Sequence, residues 1–140
     1  MSSAALKPAA CQLRDIYIES GSEVFDLHND FDFVGFTYDT AERTVSLRWV
    51  PNEHTPAEQR RALVLDMGGV SYLSSTPRDA DVPFSEDSCL HQMGRIPPSA
   101  PTLDSAESEA PPDWHYVFSF MSGFVLRIAA ESVCLRTHDI

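Results

Sequence analysis

Glu23, Asp26, His28, Asp30 and Asp32 are the residues whose types and spacing come nearest to chemistry in this chain. On an extended backbone His28, Asp30 and Asp32 share one face, because side chains alternate with a period of two, and Asp26 adds a further carboxylate beside them. An imidazole among carboxylates is a donor set for Zn²⁺ or Mn²⁺. The spacing is not that of a metal-binding motif, and His54, His91, His115 and His138 are scattered, so no second cluster completes a coordination sphere. No metal is expected. The five residues read instead as a solvated acidic face and as the candidate contacts for a binding partner.

Other catalytic patterns are weaker. Cys89 and His91 are close in sequence, but nothing orients one toward the other, and no serine sits in a Gly-x-Ser-x-Gly elbow. Gly68-Gly69 follows an apolar run without the Lys-Ser/Thr of a phosphate loop. No catalytic residue and no cofactor is implied, and the chain reads as a non-enzyme. Trp49, Trp114, Tyr116, Phe118 and Phe120 are numerous enough to line a pocket, although aromatics at strand spacing usually form core.

Charge narrows the choice of partner. Ten Lys+Arg against 21 Asp+Glu give a net charge of −11. Eight of the acids lie between Asp15 and Glu42, a stretch without Lys or Arg. Nucleic acid and anionic membrane surfaces both need basic patches and are excluded as partners. A basic protein partner fits, as does an acidic surface that simply keeps the chain soluble. Cys11, Cys89 and Cys134 are odd in number and widely spaced, which points to reduced thiols and a cytoplasmic location. No apolar run approaches the ~20 residues of a membrane helix.

The elements that must position these residues read as strands. Trp114, Tyr116, Phe118 and Phe120 alternate, Ser122-Gly123 has turn chemistry, and Phe124, Leu126, Ile128 and Ala130 alternate again, predicting a hairpin. Val133 and Leu135 extend its second arm, with a bulge at Glu131-Ser132. A second hairpin runs from Phe33 to Val50 around the polar loop Asp39–Arg43, with Val34, Phe36 and Tyr38 on one side facing Val45, Leu47 and Trp49. Ser20-x-x-Glu23 fits a capping box, so a short turn or helical piece is expected around 22–29 and a strand from about Asp32, although Phe25, Leu27, Phe31 and Phe33 also fit period two. One helical turn at 56–60, a strand at 61–67, a bend at Gly68-Gly69 and a strand at 70–74 follow. Ser85-Glu86-Asp87 is expected to cap a short helix through Met93.

The fold class expected is mainly β, with α+β as the alternative: an antiparallel sheet or small sandwich built from hairpins, with one or two short helices. Residues 1–140 form one domain, with a Pro- and acid-rich loop at 96–113 that has too little apolar content for a core of its own. The expected core is Phe36, Leu47, Trp49, Leu65, Phe118, Phe120, Leu126 and Ile128. The hairpin 114–130 carries one charge, Arg127, and offers Val117 and Val125 on its second face. A homodimer is expected to cover that face, unless loop 96–113 folds over it.

Two segments carry a resemblance. One is Leu27-His28-Asn29-Asp30-Phe31-Asp32-Phe33-Val34, leading into Tyr38-Asp39 and Val45-Ser46-Leu47-Arg48-Trp49. The other is Phe118-x-Phe120-x-Ser122-Gly123 with Ile128-x-Ala130-Glu131-x-Val133-x-Leu135. Together they resemble small β-rich bacterial proteins, some of them immunity proteins of toxin systems. Where that group commonly has an adjacent His-Asp pair, this chain places Asn29 between His28 and Asp30. The resemblance implies a β-rich fold and a non-enzymatic role in binding a toxin. The expected function is therefore that of an acidic binding protein, immunity-like, recognising a basic protein. The alternative is a small-ligand-binding β domain with an aromatic-lined pocket.

Overall fold

A computed structural model describes residues 9–101 and 110–140. The strands in chain order are β1 (Ala9–Ala10), β2 (Gln12–Arg14), β3 (Tyr17–Ser20), β4 (Glu23–Asp26), β5 (Phe31–Asp39), β6 (Thr44–Pro51), β7 (Arg61–Gly68), β8 (Tyr72–Thr76), β9 (Leu90–Ile96), β10 (His115–Phe120), β11 (Val125–Ala129) and β12 (Ser132–Asp139). They form three antiparallel sheets, ordered β1-β12-β7-β6-β5, β8-β11-β10-β9 and β2-β3-β4. The mainly β expectation holds. The expected α-helices do not: among the described residues the helical segments are two single 3-10 turns, Ala57–Gln59 and Phe84–Ser88.

Both hairpins form. In the first, Phe33, Phe36 and Tyr38 stand opposite Trp49, Leu47 and Val45. Val34 does not share their side, because the register shifts between Phe33 and Gly35. A bulge adds one residue to a strand and so exchanges the faces beyond it. That is how Phe31 and Phe33 can point into the core with Phe36, while Val34 is left 53% exposed. In the second hairpin Tyr116, Phe118 and Ser119 pair with Ile128, Leu126 and Val125. Its second arm ends at Ala129. Val133 and Leu135 do not prolong it through a bulge; they belong to β12, which pairs with β7 in the other sheet.

The two larger sheets are joined at one corner. The chain leaves β7 at Gly68, turns through Gly69 and enters β8. It leaves β11 at Ala129, turns through Glu131 and enters β12. The two crossings hold each other: Glu131 N–H donates to Gly68 O (2.8 Å) and Ser71 N–H to Ala129 O (2.9 Å). Gly69 has φ +63°, and a Cβ there would lie 2.2 Å from the Glu131 carboxylate. Glycine is the residue that meets both conditions.

Two stretches with helical capping patterns are partly extended for a shared reason. The stretch 22–29 is β4 followed by a turn, and β9 replaces the helix expected to end at Met93. In each case the capping pattern is local, while Phe25, Leu27, Leu90 and Met93 are all essentially buried in one cluster. Burial of large apolar side chains outweighs a cap worth about 1 kcal/mol. The 56–67 segment is a 3-10 turn and then strand β7, as expected. Of the expected core, Leu47, Trp49, Leu65, Phe118, Phe120, Leu126 and Ile128 are buried. Phe36 is only half-buried at the core's edge.

Of the expected loop 96–113, Ile96 ends β9 and residues 102–109 lie outside the described residues. The segment after Ile96 lies on the second face of the hairpin. Arg127 donates to the carbonyls of Ala100 (2.6 Å), Pro98 (2.8 Å) and Pro97 (3.1 Å), and to His115 Nδ1 (2.9 Å). Val117 beside it is buried.

Phe118→Ala should cost ~3–5 kcal/mol in urea unfolding, since the ring is wholly buried between sheets. His115 has its pKa held below the ordinary 6.5, by burial first and then by the Arg127 charge. A histidine kept neutral by the fold stabilises above its unfolded pKa and loses that contribution as pH falls. Stability should begin to drop as pH falls through the ordinary 6.5, and His115→Gln should flatten that drop.

Candidate functional site

The five expected site residues follow one another through the end of β4, a tight turn and the start of β5, but they do not act as one cluster. Glu23, on β4 of the small sheet, is ion-paired with Arg61 at the start of β7. Asp26 organises the turn: its carboxylate accepts from the backbone N–H of His28 (3.0 Å) and Asn29 (2.9 Å) and from the Asn29 amide (2.8 Å). A short side chain that bonds the backbone two and three residues on is how an Asx turn is made. Asp32 lies beside the Asn52 amide, at 3.4 Å. Asp30 has a backbone carbonyl that accepts from Asn52 N–H and the Thr55 hydroxyl, and among the described residues no Lys or Arg pairs with its carboxylate. Burial first, and then the Asp26 charge, raise the Asp30 pKa, with His54 opposing.

His28 turns away from the carboxylates. Its Nδ1 lies 2.6 Å from Leu90 O. A carbonyl only accepts, so Nδ1 carries the proton. Cys89 Sγ is 3.5 Å from the same nitrogen. The fold thus places Cys89 against His28 and not against its sequence neighbour His91. A protonated Nδ1 cannot take a proton from the thiol, so the contact is not a nucleophile–base pair. The Cys89 pKa is raised, by burial first and then by Glu86, Asp32 and Asp26. Burial also lifts Cys11, to about 12, and Cys134. Thiols raised in this way are poor nucleophiles and poor metal ligands. Among the described residues no three His, Cys, Asp or Glu side chains converge as a metal cluster.

Two concavities among the described residues bear on function. The first, about 500 Å³, lies between the edge strand β5 and the 77–88 loop. Phe33, Val34, Phe36, Phe84 and Phe124 give it apolar walls, with Arg78, Asp87 and Ser88 on one side. Its floor is an aromatic ladder: Phe33 meets Phe120 at 4.5 Å between centroids, Phe120 meets Phe124 at 5.7 Å, and Phe124 stacks on Phe36 at 6.5 Å. The loop wall is tied down by Arg78, which pairs with Asp87 (2.8 Å), donates to Val82 O (2.7 Å) and lies 4.7 Å from the Phe84 ring centre. The β10–β11 turn holds that loop too: Asp79 N–H donates to Ser122 O (2.7 Å). Hydrogen bonds from Arg78 and then from Ser122 keep the Asp87 carboxyl below the usual range.

The second concavity, about 470 Å³, lies on the outer face of the first sheet. Its centre is Asp66, bound by Arg136 and by the Ser46 hydroxyl (2.7 Å). Burial alone would raise the Asp66 pKa, but the hydrogen bonds from Arg136 and Ser46 outweigh it and hold the carboxyl low.

The aromatics that could have lined a pocket form core instead, as their strand spacing favours. Trp49, Phe118, Phe120 and Tyr116 are buried in the core, and Trp114 is half-buried. The groove residues Val34, Phe84 and Phe124 were missed as site residues. Phe84, between Pro83 and Ser85 in an acidic loop, was the one signal available. No family model, curated protein or solved structure matches the chain. Among the described residues no helix is long and apolar enough to cross a membrane.

A carboxyl whose folded pKa is lowered stabilises above its ordinary 3.8 and loses that contribution as pH falls through the folded value. Asp66→Asn should therefore be less stable than wild type at about pH 5, and its loss of stability down to about pH 2 should be shallower, as read by urea midpoints.

Proposed function

We propose that the chain is a non-enzymatic binding domain whose acidic β4–β5 turn and β5 edge receive a basic protein partner. The observation that carries this reading is Asp30. Among the described residues its carboxylate has no Lys or Arg partner; it sits beside Asp26, with His54 nearby, and is disfavoured in its charged form. Glu23 is already neutralised by Arg61, and Asp26 is committed to the turn. Asp30 and Asp32 are thus the acids of the expected set left to meet a partner's charge, and Asp39 and Glu42 continue the same sign along β5 and its turn. Unmet negative charge steers and orients a basic partner, and raises on-rate more than it adds fold stability. The raised thiols and the proton on His28 Nδ1 favour binding over covalent chemistry.

An immunity-like role and a cytoplasmic location belong to the same proposal; a secreted toxin encoded in the neighbouring reading frame would favour both. A homodimer through 114–130 is the weaker proposal, because segment 97–100 already lies on the face that called for one. A second reading, a small-ligand domain, draws on the apolar groove, whose volume falls in the range of ligand sites.

Asp30→Asn tests the main reading. An acid whose folded pKa is raised destabilises the fold above that value, and the penalty disappears as pH falls through it. The variant should melt at or above the wild-type temperature near neutral pH. It should also bind the basic peptide Lys-Arg-Ser-Ser-Arg-Lys more weakly in an NMR titration, and wild-type binding should fade as salt rises. Unchanged binding in Asp30→Asn/Asp32→Asn would remove the acidic turn as the contact.

A further inference from the structure

The apolar groove beside β5 is built more firmly than a surface crevice requires. Phe84 is 81% exposed and Val34 53% exposed, on opposite walls of the same groove. Facing apolar side chains left open to water mark a contact surface. Neither is free to collapse. Val34 is the extra residue of the β5 bulge, and bulges re-aim a side chain. Phe84 is held by Arg78, which is itself fixed by Asp87 and by the carbonyls of Val82 and Pro83. The floor is continuous with the core through Phe33, Phe120 and Phe124. A rigid, preformed apolar slot loses little entropy when filled.

Arg78 and Asp87 in the lining neutralise each other, and the elements around the groove are mostly acidic. Strand β5 and residues 77–88 together hold six carboxylates, Asp32, Asp39, Asp79, Asp81, Glu86 and Asp87, against the single guanidinium of Arg78. The same arrangement argues against a second copy as the occupant. Two β5 edges paired antiparallel about Gly35 and Phe36 would set Asp32 opposite Asp39 at both ends, and like charges directly opposite destabilise a strand pair.

We propose that this groove takes a large apolar side chain from an extended basic segment of the partner, with flanking Lys or Arg residues lying toward Asp32 on the β5 side and Asp79, Asp81 and Glu86 on the loop side. The inference rests on the basic-partner reading and adds the anchor that gives it specificity. Charge brings the partner in, and the apolar side chain filling the slot between Phe84 and Val34 slows its departure.

The test compares two peptides of equal charge, Lys-Arg-Leu-Phe-Arg-Lys and Lys-Arg-Ser-Ser-Arg-Lys, each titrated into the ¹⁵N-labelled full chain. The apolar peptide should bind roughly ten-fold tighter or better and shift the amides of Val34, Gly35, Phe36 and Phe84. Phe84→Ala and Val34→Glu should abolish the difference between the peptides while leaving the salt-dependent shifts at Asp30 and Asp32. Both side chains are exposed, so folding is not at risk, and thermal melting verifies this. Equal affinities with shifts confined to Asp30 and Asp32 would overturn the groove and keep the basic-partner reading. No binding by either peptide would overturn both. If acetyl-Leu-Phe-amide, which has no charge, fills the groove as tightly as the basic peptide, the site belongs to a neutral ligand and the proposal fails. A light-scattering mass that doubles in wild type and halves in Phe84→Ala would make a second copy the occupant, which also overturns it.

Discussion

Everything in this fold depends on one corner where two strand-to-strand passages cross together. β7 becomes β8 at Gly68-Gly69, and β11 becomes β12 at Ala130-Glu131, each passage hydrogen-bonded to the other. A sheet of this width has to bury one face, and a bend shared by a strand pair folds one part of the ribbon over the other without breaking the ladder. Trp49, Leu65, Phe118 and Leu126 then meet in a single apolar cluster. Arg43 reinforces the corner from outside, since its carbonyl accepts from Val70 N–H and its Nε donates to Val70 O.

The corner also sets where binding surfaces can exist. It commits β6, β7, β10 and β11 to the interior of their sheets, leaving β5 as an edge. The β10–β11 turn reaches past the core to hold the 77–88 loop, and that loop forms a second wall along β5. The Val34 bulge and the acids of β5 blunt the edge against indiscriminate strand pairing, as natural edges require. The same bulge leaves an apolar slot open beside that edge.

The charged residues divide by what the fold lets them reach. Glu23, Asp26, Asp66 and Asp87 are drawn into ion pairs or turns and serve stability. Asp30 is left in a setting that disfavours its charge. Arg127 and Arg95 spend their donors on the backbone at the two ends of the Pro-rich segment: Arg127 on Pro97, Pro98 and Ala100, Arg95 on Pro111, Pro112 and Trp114. One charge per anchor point is enough, because a guanidinium offers several donors in a fixed plane.

By itself the sequence determined the strands with clear alternation and the hairpins they make. The period of Tyr116, Phe118 and Phe120, and that of Val45, Leu47 and Trp49, is written in side chains that have to be buried on one face. It also determined the surplus of acid in 15–42 and the stop at Gly68-Gly69. Tertiary structure alone decided which sheet each strand joins. The alternation in Val133 and Leu135 is the same whether they prolong β11 or pair with β7, and the pairing is settled by contacts about 70 residues apart in sequence, such as Arg136 with Asp66. It decided that 23–26 and 90–93 are extended, because local caps are weaker than the burial of Phe25, Leu27, Leu90 and Met93. It moved the bulge to Val34, which no period reveals. And it made the groove, whose walls are far apart in the chain and meet only because the β10–β11 turn carries one to the other.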